Sequence, residues 1–252
     1  MSVFILPIPG LPLIEPGADL GALLGDAIVT AKIGLRAGDV VAVCQKVVSK
    51  AEGAVVRLAD IVPSAFAEHL AAQTANGKDP RAVEVILRET KRIVRMDRGH
   101  LIVETHHGWV CANAGVDESN GVAPDVLTLL PHDADASAAR LRAALGARFG
   151  VEVAVVITDT FGRPWREGLV EVALGCAGME PLLDLRGRTD LAGRELLHTV
   201  VALADEVAAA AGLVMEKDSA VAAAVVRGVR YTPGVGNAAR HLVRRPEFDL
   251  FR

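Results

Sequence analysis

Apolar runs and polar breaks along the chain predict a mixture of strands and helices. Val3 to Ile8 reads as a short buried strand, stopped by Pro9-Gly10. Asp19 offers a cap to a helix running to about Ile33, with Leu20, Leu23, Leu24 and Ile28 at helical spacing. Gly38-Asp39 marks a turn. After it, Val40 to Cys44 is a β-branched run typical of a buried strand, and residues 53–58 add another. Ser64 and Asp79 look like caps of two helices, Ala65 to about Thr74 and Pro80 to Thr90. The second has proline in its first turn, where a missing N–H costs nothing. Three short strands around Arg92 to Met96, Leu101 to Glu104 and Gly108 to Ala112 suit an antiparallel meander.

In the second half, Asn113 to Pro131 reads as a long polar loop and Ser137 to Phe149 as an amphipathic helix. Val151 to Thr158 is the most strand-like run, and Asp159 to Gly168 is predicted to be a loop directly after it. Gly193 to Ala211 reads as a long helix and Ala220 to Val229 as a last core strand, before a polar, basic tail from Tyr231. No fixed-period repeat or low-complexity linker occurs. Strands and helices mix without regular βαβ alternation, so the predicted class is α+β, with mixed and antiparallel sheets and packed helices.

Composition narrows this picture. A length of 252 residues fits one large domain or two small interlocked ones. Aromatics are only 4% against 51% apolar residues, so Ala and Val rather than rings must fill the core. A net charge of −4, with no long Lys/Arg block, argues against nucleic acid as a main partner. The N-terminal apolar stretch is broken by Pro7 and Pro9, and Val207 to Met215 is short and flanked by acids. Neither a signal peptide nor a membrane span is expected. Cys44, Cys111 and Cys176 form no zinc or disulfide pattern, and a cytoplasmic setting is the expectation.

The standard phosphate loop, GxSxG, HExxH and CxxC are all absent. Two segments stand out instead: Ala114-Gly115-Val116-Asp117-Glu118-Ser119-Asn120, and Thr158-Asp159-Thr160-Phe161-Gly162-Arg163-Pro164-Trp165-Arg166. Each places a carboxylate directly after a strand. Two such Asp residues, converging, suit a hard divalent cation that also holds substrate phosphates, with Thr160 and Asn120 as neutral oxygens. Arg163 and Arg166 could neutralise phosphate or carboxylate groups. Turn-forming or capping Asp residues and surface-paired Arg residues fit the same pattern. A third segment, Gln45 to Gly53, holds Lys50, which either reaches a phosphate or faces solvent. His106-His107, read as adjacent residues on a strand, point to opposite faces and cannot chelate one ion together, so no site is assigned to them.

These segments together resemble the coenzyme F420:gamma-glutamyl ligase family. The resemblance runs from Pro9-Gly10-Leu11-Pro12, through Val48-Ser49-Lys50-Ala51-Glu52-Gly53 and the two segments above, to Asp249-Leu250-Phe251-Arg252. It implies a single family domain over residues 1–252, possessing two interlocked subdomains and forming an intertwined homodimer. It also implies GTP-driven addition of L-glutamate to the deazaflavin precursor F420-0 through an acyl phosphate. By this analogy Asp117 and Asp159 are catalytic and hold Mn2+ or Mg2+ with Thr160, and K+ also binds. Leu11, Pro12, Leu13, Ile14, Gln45, Lys50, Asn120, Met215, Glu216 and Lys217 line the GTP pocket, and Arg163 and Arg166 are candidates for substrate contact. The chain departs from the family at Glu216, usually glycine, and at Gln45, often a small hydroxyl residue, which bears on nucleotide preference. A flavin is not expected, because the reductase half of the fused actinobacterial form has no counterpart here. Three alternatives stay open: the same amide-forming chemistry on another acceptor or amino acid, a non-catalytic deazaflavin or nucleotide binder, and a phosphohydrolase.

Overall fold

The computed structural model describes residues 2–73, 77–97, 99–118, 123 and 125–250. β1 (Phe4–Pro7) is followed by a coil that leads to α1 (Leu20–Thr30), whose first turn is closed by Asp19 accepting from the Ala22 N–H. β2 (Val40–Cys44) passes without a loop into α2 (Gln45–Ala51), and β3 (Val55–Arg57) comes next. α3 (Ala65–Ala72) and α4 (Pro80–Arg88) carry the expected Ser64 and Asp79 caps. β4 (Thr90–Asp97), β5 (His100–Thr105) and β6 (Val110–Ala112) form the predicted antiparallel meander. β7 (Val126–Thr128) pairs with β3, and α5 (Ala134–Phe149) ends on left-handed Gly150. β8 (Ala154–Arg163) and β9 (Arg166–Ala177) make a long hairpin. After it come the two-residue strands β10 (Leu183–Asp184) and β11 (Val200–Val201), then α6 (Leu203–Gly212), β12 (Ala223–Arg227) and α7 (Ala238–Leu242).

Among the described residues five strands form the main sheet, in the order β1-β12-β2-β8-β9. β2 and β8 run parallel, and the other neighbours are antiparallel. Strict alternation divides its side chains between two cores. Val41, Val43, Val155, Ile157 and Val225 pack with α1 and α5, while Val40, Ala42, Val156, Ala224 and Val226 pack with α6. Alanines on α6 let that helix lie close to the sheet, the role expected of small aliphatics in a chain poor in aromatics. α3 and α4 cover the meander around a separate cluster that includes Leu70, Val83, Ile86, Leu101 and Val103. The class is therefore mixed α+β.

One ion pair fastens the amino edge of β2. Asp39, 1% exposed, accepts from the Arg227 guanidinium at 2.7 and 2.9 Å and from the Arg36 N–H at 2.8 Å.

Three expectations are corrected. Residues 159–168 are not a loop: β8 continues to Arg163 and β9 starts at Arg166, leaving Pro164-Trp165 as the turn. The segment reads as polar because it leaves the core, yet cross-strand pairing holds it extended. The helix expected over Gly193 to Ala211 begins only at Leu203. Residues upstream fold back on 185–190 through backbone bonds such as Leu196 N–H to Arg188 O at 2.8 Å, and β-branched Thr199, Val200 and Val201 favour that extended state. The polar stretch from Asn113 to Pro131 contains β7 and a 3-10 turn. α2 was not anticipated, because Val47-Val48 reads as strand continuation. Among the described residues no helix is long and apolar enough to cross a membrane.

Candidate functional site

β2 ends at Cys44, opposite Thr158, whereas β8 runs on and β9 folds back beside it. The outer hairpin thus projects past the carboxyl ends of the parallel pair, where open sheets leave a crevice. At the point of departure the β8–β9 register slips, from Ile157 opposite Gly175 to Thr158 opposite Ala173. Such bulges re-aim side chains, and Asp159 and Thr160 come directly after this one. β5, β6 and residues 115–117 close over the hairpin to give a cavity of about 700 Å3. Asp117, Asp159, Thr160, Lys46, Lys217 and Arg163 all line it.

Asp117 is held by backbone geometry. Its N–H donates to Thr128 O at 3.0 Å and its carbonyl accepts from the Thr128 N–H at 2.9 Å. Asn113, Ala114 and Gly115 precede it with φ of 53°, 55° and 70°, three left-handed residues in succession. Only glycine fits at 115, since a Cβ there would meet the Leu130 side chain at 2.7 Å. Two non-glycine residues kept in that region beside a cavity mark a segment whose shape is fixed by its surroundings.

The electrostatics are unbalanced. Lys46 Nζ lies 2.6 Å from Asp117 Oδ2. Burial pushes the Asp159 carboxyl up to about 7; a backbone hydrogen bond at Thr160 and the Lys46 ammonium oppose the rise, and the Glu171 and Asp117 carboxylates add to it. Thr160 faces Glu171 across the hairpin, and its hydroxyl donates to Glu171 Oε1. Glu171 Oε2 is buried and finds no hydrogen-bond partner among the described residues. α6 reaches this carboxylate because residue 212 is glycine: a Cβ there would meet Glu171 Cγ at 2.7 Å.

The other sequence candidates fall around this centre. Gln45 is fully buried on α2, accepting from the Ser49 hydroxyl at 2.9 Å, while its Nε2 has no partner among the described residues. Lys50, one turn beyond Lys46, is buried rather than cavity-lining; burial and then Lys46 lower its pKa, while Asp117 acts to raise it. Leu11 and Ile14 pack in the same core as Val48 and Ala51 of α2, and Gly17 N–H donates to Ala51 O at 2.8 Å. Pro12 and Leu13 are exposed. Met215 packs on the α6 core, Glu216 is exposed, and Lys217 reaches the cavity. Arg166 is exposed at the hairpin. Asn120 lies outside the described residues. His106 and His107 are not on a strand as expected but in the turn after β5, where their rings lie against different carbonyls, those of Arg88 and His132 respectively, both at 3.0 Å.

Sequence reasoning missed two residues of the cluster. Lys46 needed the helical phase of α2, and Glu171 needed the hairpin register that brings it opposite Thr160. Among the described residues no three His, Cys, Asp or Glu side chains form a complete cation site. Asp117, Asp159 and Thr160 line the same cavity, and hard oxygen donors of this kind are the type that divalent cations take.

An α+β fold with acids, a hydroxyl and lysines gathered in a crevice beyond a parallel strand pair has the form of an enzyme cleft. The chain belongs to the F420-0:Gamma-glutamyl ligase family, whose model matches residues 10–228. It is similar to the Coenzyme F420:L-glutamate ligase of Methanopyrus kandleri, with 48% identity over 98% of this chain and 97% of that protein. The protein of the same name from Methanothermobacter thermautotrophicus is 43% identical over the whole of both chains. That from Methanocaldococcus jannaschii is 41% identical over 96% of this chain and 94% of its own.

Proposed function

We propose that this enzyme uses GTP to join L-glutamate to F420-0, in the biosynthesis of coenzyme F420. The observation that carries the reading is the meeting of Asp117 and Asp159, from separate segments, with Thr160, Lys46 and Lys217 in one cavity. The γ-phosphoryl group passes to the terminal carboxylate of F420-0, forming an acyl phosphate and releasing GDP. The glutamate amine then attacks the acyl carbon, an amide bond forms, phosphate leaves, and the amine gives up a proton. Such chemistry depends on positioning and charge neutralisation more than on covalent participation by the protein.

Asp117, Asp159 and Thr160 would hold Mn2+ or Mg2+, and the hard oxygen donors and the buried Glu171 Oε2 suit such a cation. When bound, the ion neutralises charge on the transferring phosphoryl group. Lys46, ion-paired to Asp117 at 2.6 Å, and Lys217 both line the cavity, and in this reading they would meet phosphate oxygens. We assign the nucleotide to Leu11, Pro12, Leu13, Ile14, Gln45, Lys50, Asn120, Met215, Glu216 and Lys217, and substrate carboxylates to Arg163 and Arg166. The same reading includes a K+ ion, one family domain over residues 1–252 with interlocked subdomains, an intertwined homodimer and a cytoplasmic setting.

The test is incubation with GTP, Mn2+, L-glutamate and F420-0, followed by mass spectrometry. A gain of one or more glutamyl units, dependent on GTP and metal, is expected. GTP turnover supported only by an acid other than F420-0 would replace the acceptor, and phosphate release indifferent to glutamate would reduce the enzyme to a phosphohydrolase.

A further inference from the structure

A bulge in β9 sets how the outer hairpin meets the cavity. Ile157 pairs with Gly175 but Thr158 pairs with Ala173, so Leu174 is the extra residue. Without it Glu171 would fall opposite Phe161 instead of Thr160, and alternation would turn its side chain to the other face of the sheet.

Two carboxylates hold this bulge from opposite faces. β9 is the last strand of the main sheet among the described residues, so the amides on its outer side have no neighbouring strand. In a regular strand, amides three residues apart point to opposite sides. One extra residue between them brings both to the outer side. There the Ala173 N–H donates to Asp205 Oδ1 at 2.9 Å, and the Cys176 N–H to Asp135 Oδ1 at 2.8 Å. Asp205 comes from the first turn of α6 and Asp135 from the first turn of α5, the helices that cover the two faces of the sheet. Each acid sits where a helix dipole favours negative charge. α5 comes this near because position 175 is glycine: a Cβ there would lie 2.3 Å from the Ala134 carbonyl carbon. Asp135 also accepts from the Ala238 N–H at 2.7 Å and so ties down the start of α7 as well.

We infer that Asp205 is a positioning residue for the catalytic centre: its carboxylate locks the β9 bulge, and through the bulge it fixes the Thr160–Glu171 pair. The inference rests on the cation site of the ligase reading, in which Thr160 holds the metal. Asp205 is not among the residues that line the cavity, so it reaches the chemistry through the backbone of β9. A carboxylate that merely covered a sheet edge would serve in any register. Two carboxylates placed three residues apart on one outer side fit only the bulged one.

The test measures Mn2+ affinity by calorimetry without nucleotide, together with the thermal melt and kcat. The proteins compared are full-length wild type, Asp205→Ala, Asp205→Asn and Arg227→Ala. Asp205→Ala is expected to bind Mn2+ about tenfold more weakly or worse and to lose a similar factor in kcat. Asp205→Asn, whose side-chain carbonyl still accepts from the Ala173 N–H, stays within about threefold of wild type. Arg227→Ala, destabilised at the amino edge of β2, keeps its Mn2+ affinity and controls for loss of stability as such. Unchanged Mn2+ affinity in Asp205→Ala with a lowered melt overturns the inference and leaves Asp205 a cap on the sheet edge. Equal weakening in Asp205→Asn overturns it too, because charge rather than the hydrogen bond would then act on the cation. Equal weakening in Arg227→Ala traces the effect to stability and overturns it as well. A wild type that binds Mn2+ but adds no glutamate defeats the ligase reading alone, and the titrations still decide the role of Asp205. A wild type that binds no Mn2+ overturns the cation site and this inference together.

Discussion

The two ends of β2 present buried acids in opposite states. At the amino edge Asp39 is saturated, its two oxygens taking bonds from both sides of one guanidinium and from a backbone N–H. At the carboxyl edge the polar groups are left short. Glu171 Oε2, Thr158 Oγ1 and Gln45 Nε2 are buried without partners among the described residues, and Asp159 is pushed toward protonation at neutral pH. A desolvated polar atom without a partner costs stability, and folds retain few of them. The difference separates an acid tied into the sheet from acids at the cavity that lack a full set of partners among the described residues.

The sharpest way to break this comparison is to remove the acids in turn. Asp117→Ala and Asp159→Ala are each expected to lower kcat about a thousandfold or more, the scale of losing a principal electrostatic contact in the proposed phosphoryl transfer. The metal-free Asp159→Ala protein should melt no lower than wild type, since the mutation removes a desolvated carboxyl beside two others. Steady-state kinetics and a thermal melt decide both points, and near-normal kcat in either variant would withdraw that residue from the proposed metal site. At the other edge the pattern inverts. Arg227→Ala leaves Asp39 buried and unpaired, with an expected loss of about 3–5 kcal/mol in urea unfolding. Its kcat should be normal wherever the protein is folded.

The same contrast explains what the sequence could reveal. β2, the inner half of β8 (residues 154–158) and β12 are buried and read as runs of small and β-branched residues. The caps Asp19, Ser64 and Asp79 were legible because capping depends on a few adjacent residues. The outer hairpin was illegible because cross-strand pairing and a bulge hold it, and no local pattern encodes either. Asp117, Asp159 and Thr160, singled out by their segments, and Lys217, named through the family resemblance, line one cavity. Lys46 and Glu171 join them only through the phase of α2 and the register of the hairpin, which are properties of the folded chain.

Glu171 offers a smaller test. By accepting the Thr160 hydroxyl hydrogen bond Glu171 fixes the orientation of that hydroxyl, which on the proposed reading would position a metal ligand. Glu171→Ala should weaken Mn2+ binding about 10- to 100-fold, measured calorimetrically without nucleotide. Glu171→Gln, whose carbonyl still accepts from Thr160, should recover most of it. Equal weakening in both variants would instead make Glu171 a direct ligand.

Glu104 extends the comparison to an acid that is satisfied, like Asp39, but near solvent. Lys91 and then Arg92 hydrogen-bond its carboxylate, at 2.9 Å each, and hold its pKa down to about 2. A carboxyl whose folded pKa lies below its unfolded value stabilises the protein above the unfolded value, about 4.3, and loses that contribution as pH falls toward 2. Both basic partners are half exposed, so the pair resembles a surface bridge more than the Asp39 contact. Glu104→Gln should therefore cost under about 1 kcal/mol at pH 7, with the gap to wild type closing as pH falls through about 2. Urea unfolding of both proteins between pH 7 and 2 measures it. A gap of several kcal/mol would mean that depth of burial does not separate Asp39 from Glu104, and the distinction between the edges of the sheet would then rest on saturation alone.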